Sequence, residues 1–330
     1  MAVQRIVVIG ASSGGVEALR MVVGGLPAGF GAPVCVVIHR RPYSHGLIAG
    51  ILDRSGPLRA RDAASGDRLE NGTVYVAPPD HHLLIEPGQL RLTRGPRENL
   101  SRPSVDPLFR SAAQVYGPAA IGVILTGDLD DGAAGLDTIR RLGGTTVVQD
   151  PADAFAPSMP SNALRYGPAD FRVPLTQIPA VLTRLADIPA SSPRVSGDAA
   201  QDVDVEVRIA SEEKPMDTGL LEIAEPSLIA CPECHGVLLR LKRAQPSRFR
   251  CHTGHAYSME SLVAAVEHGI EDSLWSAVRS LEEAGLLLRE LSNIAVDERD
   301  TGARVRAEQT DSQAEQVREI LLRRASLPAR

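Results

Sequence analysis

Cysteine, lysine and long apolar runs are the scarce features of this 330-residue chain. Its four cysteines, three of them within residues 231–251, are too few and too clustered for the disulfide framework of a small secreted protein. Lysine occurs only at 214 and 242, so the positive charge is carried by arginine. A formal net charge of −6 gives no overall basic surface for general nucleic-acid binding. No stretch approaches the roughly 18 consecutive apolar residues of a membrane span. The N-terminus shows neither the basic start nor the cleavage pattern of a signal peptide, and strand-like sequence begins almost at once. The expectation is a cytoplasmic protein with no membrane insertion and no nucleic-acid partner.

What is present is a globular composition, 43% hydrophobic and 23% charged. From residue 3 to about 186, short β-branched runs alternate with helical spacing. Arg5–Ile9, Val34–Ile38, Thr73–Ala77, Ala120–Leu125 and Thr145–Gln149 read as buried strands. Val16–Val23, Ala133–Leu142 and Pro174–Ala186 read as helices, and Asp106-Pro107 as N-cap and first residue of another through Val115. His82–Glu86 and Leu90–Arg94 form a hairpin pattern about Pro87-Gly88. The fold class expected is α/β: a doubly wound, mostly parallel sheet with helices on both faces, over residues 1–187. Residues 188–225 read as linker, with the alternating Val203, Val205, Val207 and Ile209 as a short docked strand. A Cys/His segment at 226–258 and a helical tail at 259–330 complete the chain.

Three strand ends carry side chains that belong together chemically. The first strand runs into Gly10-Ala11-Ser12-Ser13-Gly14-Gly15, the second ends at His39, and a later one runs into Asp128, Asp130 and Asp131. In a doubly wound sheet these ends line one crevice. Serine, histidine and aspartate there make the nucleophile, base and orienting acid of acyl transfer. The oxyanion donors are then the Ser13 N–H and one from the Gly127-Asp128 loop. A nucleotide site is the competing reading, but GASSGG has neither the G-x-G-x-x-G spacing nor a Walker lysine. The Asp-rich loop has a second reading as a divalent-cation site. Arg102 supports the crevice wall or contacts substrate; His81 and His82 read as surface or hairpin histidines.

Ile9–Ala18 (IGASSGGVEA), Val37–Pro42 (VIHRRP), Arg102–Phe109 (RPSVDPLF), Gly122–Gly135 (GVILTGDLDDGAAG) and Ser158-Met159-Pro160 together resemble the catalytic domain of CheB, the chemotaxis protein-glutamate methylesterase, over roughly residues 4–186. The resemblance implies Ser12 as nucleophile, His39 as general base and Asp131 as the acid that orients it, with no cofactor for catalysis. It also implies hydrolysis of glutamate methyl esters, and glutamine deamidation, on methylated chemoreceptor cytoplasmic helices. Two departures stand out. Asp128 occupies a position where the family usually carries methionine, so a catalytically weak scaffold is the alternative. The catalytic pattern begins by Arg5, so the expectation is that no receiver domain precedes it.

Cys231-Pro-Glu-Cys234 followed by Cys251-His252-Thr253-Gly254-His255 offers three thiolates and an imidazole, enough for a closed tetrahedral structural zinc. His255 is favoured over His252 because Gly254 forms the turn into the site. The alternating Val237–Leu241 and Arg248–Arg250 suit the hairpin of a zinc ribbon; the basic residues there leave a nucleic-acid-binding ribbon as a weaker reading. Leu262, Val266, Ile270, Leu274, Val278, Leu281, Leu288 and Leu291 recur at helical spacing, an apolar stripe for a protein partner or a second copy.

Overall fold

The computed structural model describes residues 4–39, 47–190, 198–244, 247–294 and 301–325. Arg40, Arg41 and Pro42 of the VIHRRP motif and linker residues 191–197 lie outside them. The first part of the chain contains strands β1 (Ile6–Ala11), β2 (Val34–Ile38), β3 (Arg59–Asp62), β4 (Thr73–Val76), β5 (His82–Glu86), β6 (Gln89–Thr93), β7 (Ala120–Ile124), β8 (Thr145–Gln149) and β9 (Phe171–Val173). Helices α1 (Gly15–Gly24), α2 (Leu47–Asp53), α3 (Val105–Tyr116), α4 (Ala133–Arg141), α5 (Ser158–Tyr166) and α6 (Ile178–Ala186) accompany them. Seven of the strands form one sheet in the order β3-β4-β2-β1-β7-β8-β9. Every neighbouring pair is parallel. β5 and β6 form a separate hairpin.

The β-branched runs are strands because both faces of the sheet are covered. Val7, Ile9 and Ala11 pack with Leu19, Val22 and Leu182 on one side. Ile6 and Val8 pack with Phe109, Leu136 and Met159 on the other. The strand order reverses between β1 and β7, and the carboxyl end beside that reversal is where such sheets place ligands. Ser12 and the Asp128–Asp131 loop stand there.

The segment read as a linker folds. Residues 198–210 are helix α7 (Asp198–Ala210) rather than a strand, and α8 (Leu220–Ile223) follows. Alternation of valines with acids mimics a strand pattern. The helix wins because Val205, Glu206 and Ile209 then share one buried face, with the Glu206 carboxylate against Arg248 and Arg250. A four-stranded antiparallel sheet comes next, β10 (Ala224–Ala230), β11 (Val237–Leu241), β12 (Arg248–Cys251) and β13 (Ala256–Ser258) in sequential order. Its first strand starts two residues before the expected Cys/His boundary.

Residues 1–262 form one compact unit, so the Cys/His sheet belongs with the doubly wound sheet, and residues 263–330 form a second. Helix α9 (Met259–Ile294) is a single long helix and α10 (Thr301–Ala325) follows residues 295–300, which lie outside the description. Within the second unit, Val278, Ala307, Ala314 and Leu321 are buried, and ion pairs join Arg289 to Asp311 and Arg318 to Glu282. Among the described residues no helix is long and apolar enough to cross a membrane.

Candidate active site

Ser12 leaves β1 on a turn that only glycine completes. Gly14 takes a left-handed φ of 73° and caps α1. A Cβ on Gly14 would also stand 2.8 Å from Phe155 Cβ. Gly127 is required for a different reason: a Cβ there would meet Met159 Sδ at 2.1 Å and Ser12 Cβ at 2.8 Å. The two loops therefore touch backbone to side chain, with the Ser12 N–H donating to Thr126 O at 3.0 Å.

The three expected residues meet. Ser12 Oγ lies 3.1 Å from Nδ1 of His39, and Nε2 of His39 lies 2.6 Å from Oδ2 of Asp131. The His39 N–H donates to Ala11 O at 3.2 Å, which fixes the imidazole's backbone beside the end of β1. Asp131 is buried, 2% exposed. Its Oδ2 accepts the Val105 N–H at 2.7 Å, at the start of α3, and its Oδ1 accepts Asn99 Nδ2 at 2.9 Å and Ser104 Oγ at 2.8 Å. Burial alone would raise this carboxyl. The bond and charge of His39, with the Val105 N–H and the Asn99 amide, instead hold it down at about 2. An ionised Asp131 keeps the proton of His39 on Nε2, which leaves Nδ1 as an acceptor facing the serine hydroxyl.

The neighbouring acids are held differently. Burial, then the Asp131 charge, push Asp106 up to about 6. Burial pushes Asp130 up to about 7, against the hydroxyl of Ser258 that bonds its Oδ1 at 2.6 Å. Asp106 is not the N-cap of α3: that position is Ser104, and Asp106 lies in the first turn, where its Oδ1 accepts the Gly135 N–H at 2.7 Å. The cap falls at Ser104 because the α3 N–H groups at 105 and 106 turn toward Asp131.

Asp128, the departure from the expected methionine, is exposed, and its carboxylate accepts the Ser13 hydroxyl. The Gly127 N–H is taken by Ala156 O at 3.0 Å. Among the described residues the N–H groups of Ser13 and Asp128, like those of Gly14 and Leu129, have no protein acceptor, so Ser13 and Asp128 stay open as candidate oxyanion donors. Arg102 is tied into the crevice wall. Its guanidinium donates to Asp80 Oδ1 at 2.9 and 2.7 Å and to the Arg94 and Gly95 carbonyls at 3.0 and 2.8 Å, the bonds of a wall support. His82 is no surface histidine: it is fully buried, with Nε2 2.9 Å from Pro96 O, and burial lowers its pKa. It sits inside because β5 carries it under the loop that leads to α3.

Residues 7–182 match the CheB methylesterase family. The chain belongs to that family. A Leptospira interrogans relative (serovar Lai) is 41% identical over 180 residues, 54% of this chain and 93% of that one. Two others are a Methanosarcina mazei protein named protein-glutamate methylesterase/protein-glutamine glutaminase 2, 38% identical over 184 residues, and an Anaeromyxobacter dehalogenans protein of the same name, 43% identical over 180. The match covers 53% and 54% of this chain, and the chain spans only about half the length of these two, 50% and 53%. The crystal structure of the Thermotoga maritima CheB methylesterase catalytic domain superposes with a TM-score of 0.54 at 35% identity, over 56% of this chain and 99% of that one. The CheB-like part is therefore the seven-stranded sheet with its helices, and the Cys/His sheet lies beyond the match.

That sheet brings together Cys231, Cys234, Cys251 and His255, whose ligand atoms all lie within 4.8 Å of one another. Cys234 Sγ is 3.6 Å from Cys251 Sγ, and His255 Nδ1 is 3.6 Å from Cys251 Sγ and 3.8 Å from Cys231 Sγ. Zinc bonds of about 2.3 Å to sulfur and about 2.0 Å to nitrogen in a tetrahedron require edges of about 3.5–3.8 Å, which these three distances match, so the residues are close enough to hold such an ion. The other ring nitrogen of His255 faces Glu233 Oε2 at 3.6 Å, within ion-pair reach but beyond a hydrogen bond. His252 packs against Gly236 and is not in the cluster.

Sequence reasoning passed over Asn99, Ser104, Ser258 and Ser261. Ser104 lies inside the RPSVDPLF motif and was open to notice there. Nothing in spacing or composition links Asn99 or the two C-terminal serines to Asp131.

Proposed function

We propose that this protein is a serine hydrolase that cleaves γ-methyl esters of glutamate, and deamidates glutamine, on helical receptor segments. The hydrogen-bonded relay from Ser12 through His39 to a buried, ionised Asp131 carries the reading. The names of the relatives support the substrate class.

In the first half-reaction Ser12 Oγ attacks the ester carbonyl carbon as its proton passes to His39 Nδ1. The carbonyl oxygen takes the negative charge against the N–H groups of Ser13 and Asp128. Collapse breaks the C–OCH3 bond, and the proton on His39 leaves with the methoxy group as methanol. In the second half, water adds to the acyl-enzyme with His39 as base, the bond to Ser12 Oγ breaks, and the serine regains its proton. A glutamine substrate follows the same path with ammonia as leaving group. Asp131 holds the imidazole in the required tautomer and stabilises the imidazolium. The Asp128 carboxylate is exposed, so solvent screens its charge, and the intact Ser12–His39–Asp131 relay favours an active enzyme over the scaffold alternative.

The same proposal includes a structural zinc on Cys231, Cys234, Cys251 and His255. A closed set of four protein ligands leaves no position for substrate, so the ion would fold the sheet rather than act on the ester. The exposed Leu286, Leu287, Leu291, Ile320 and Leu322 of the second unit make a protein partner or a second copy our reading for the tail, and the whole is proposed to work in the cytoplasm.

The test is a helical peptide carrying one γ-methyl glutamate. The full-length protein is expected to release one methanol per carboxylate formed, and ammonia from the glutamine version. Absence of both products overturns the reading.

A further inference from the structure

The triad acid is braced by a side chain that the Cys/His sheet orients. Asn99 places Nδ2 2.9 Å from Asp131 Oδ1 and 3.0 Å from Asp106 Oδ2. Its Oδ1 accepts the Ser258 N–H at 3.0 Å and the Ser261 hydroxyl at 3.1 Å. A backbone N–H only donates, so the amide atom facing Ser258 must be the oxygen, and the NH2 group must face the two carboxylates. Ser258 and Ser261 also bond each other as the cap of α9, with Ser258 N to Ser261 Oγ and Ser261 N to Ser258 Oγ both at 3.0 Å. The Asp131 carboxylate selects the NH2 group on its own side, and these donors hold the other end of the amide. Without them the Asn99 side chain is anchored from one side only and no longer fixes where Asp131 points.

The backbone of the Asn99 loop is held from the same side. Asn99 and Leu100 both have left-handed φ, 49° and 65°, a conformation asparagine tolerates and leucine resists. The Asn99 N–H donates to Ala256 O at 2.8 Å, and the Ala256 N–H to Arg97 O at 3.2 Å. Next to Asn99, the buried Glu98 is paired with Arg250 of β12 at 2.8 Å and with Arg110 of α3. Arg250 precedes Cys251, and Ala256 follows His255, so two of the four cluster ligands adjoin the residues that grip the loop.

Resting on the esterase reading above, we propose that Asn99 is a positioning residue for the triad acid, and that the Cys/His sheet, when loaded with metal, holds it in its working orientation. The sheet then acts within the chain as an activating element for the esterase. Its folding state, through Ser258, Ser261 and Ala256, sets how firmly Asp131 points at His39.

The experiment uses the full-length protein and follows methanol release from the γ-methyl glutamate peptide alongside hydrogen exchange of residues 97–106. Asn99→Ala is expected to lower kcat by roughly 10- to 100-fold, with KM within about twofold, because a displaced triad acid slows chemistry without touching substrate. Ser261→Ala, which removes one of the two bonds to Oδ1, is expected to lower kcat by roughly 3- to 10-fold. Protein stripped by a chelator is expected to match Asn99→Ala in kcat and to exchange residues 97–106 faster, and Zn2+ alone is expected to reverse both. The proposal is overturned if Asn99→Ala and Ser261→Ala keep wild-type kcat, or if metal-stripped protein keeps both wild-type kcat and wild-type protection of residues 97–106. A wild-type protein that releases no methanol would instead strike the esterase reading, while the exchange measurement still reports on the coupling.

Discussion

Ser13 and Asp128 stand 115 positions apart in sequence, and the Ser13 hydroxyl donates to the Asp128 carboxylate. Their two N–H groups are the candidate oxyanion donors, so a negative charge sits at the rim of the place where negative charge develops. At a separation on the order of 6 Å and an effective dielectric between protein surface and water, the opposing energy is on the order of 1 kcal/mol. Asp128→Asn keeps the shape and removes the charge. Its kcat is expected to rise by roughly two- to tenfold at low salt and by less at high salt, where screening already weakens the effect. Measuring kcat for both proteins across ionic strength checks this; an equal kcat throughout would place the carboxylate outside the reaction's field.

Gly127 stands against the Cβ of Ser12, the proposed nucleophile. Because the alanine Cβ would meet Met159 Sδ at 2.1 Å and Ser12 Cβ at 2.8 Å, Gly127→Ala must push the serine turn away from the Asp loop. We expect roughly a 100-fold fall in kcat and a loss of about 1–3 kcal/mol in stability, read by methanol release and by denaturant unfolding. Wild-type turnover in this variant would mean that the loops are not in contact during catalysis.

Asp130 gives a pH signature. Its folded pKa is raised from the ordinary 3.8 to about 7, so its contribution to stability is full below about 3.8 and is lost as pH rises through about 7. Asp131 works in the opposite window, its contribution present above 3.8 and lost as pH falls through about 2. Asp130→Asn is therefore expected to equal wild type in stability near pH 4 and to exceed it at pH 8 by about 2–4 kcal/mol. Urea unfolding at the two pH values makes the comparison. A variant that loses stability equally at both would contradict the assignment.

Arg250 ties the Cys/His sheet to the loop before α3 through buried Glu98 at 2.8 Å and to α7 through buried Glu206 at 3.2 Å. Arg250→Met leaves two carboxylates facing one another with less positive charge between them. A loss of about 3–5 kcal/mol is expected, as for other buried pairs broken from one side. Thermal unfolding reads it. A variant as stable as wild type would show that Arg110 and Arg248 suffice for both acids.

The parallel sheet was legible because its strands are short apolar runs buried on both faces, which leave little ambiguity between Ile6–Ala11 and a helix. Ser12, His39 and Asp131 were legible because each lies at a strand end, and strand ends of such a sheet share a crevice. The Cys/His cluster followed from spacing alone, since two short loops must bring their ligands to one point. The alternating valines of α7 imitate a strand, and the Arg–Glu cluster that makes Glu206 a buried residue comes from segments more than 40 positions away. Asn99 was illegible for the same reason. Asp106 lies only seven positions on, but the partners that give Asn99 its place are 32 positions away at Asp131 and 159 at Ser258, and no local pattern marks such contacts.

If Ser12 is the nucleophile, Ser12→Ala in the 330-residue chain releases methanol at least about 1,000-fold more slowly than wild type while remaining folded, since only the oxyanion donors and substrate binding are left. A Ser12→Ala enzyme that turns over at the wild-type rate would contradict that role.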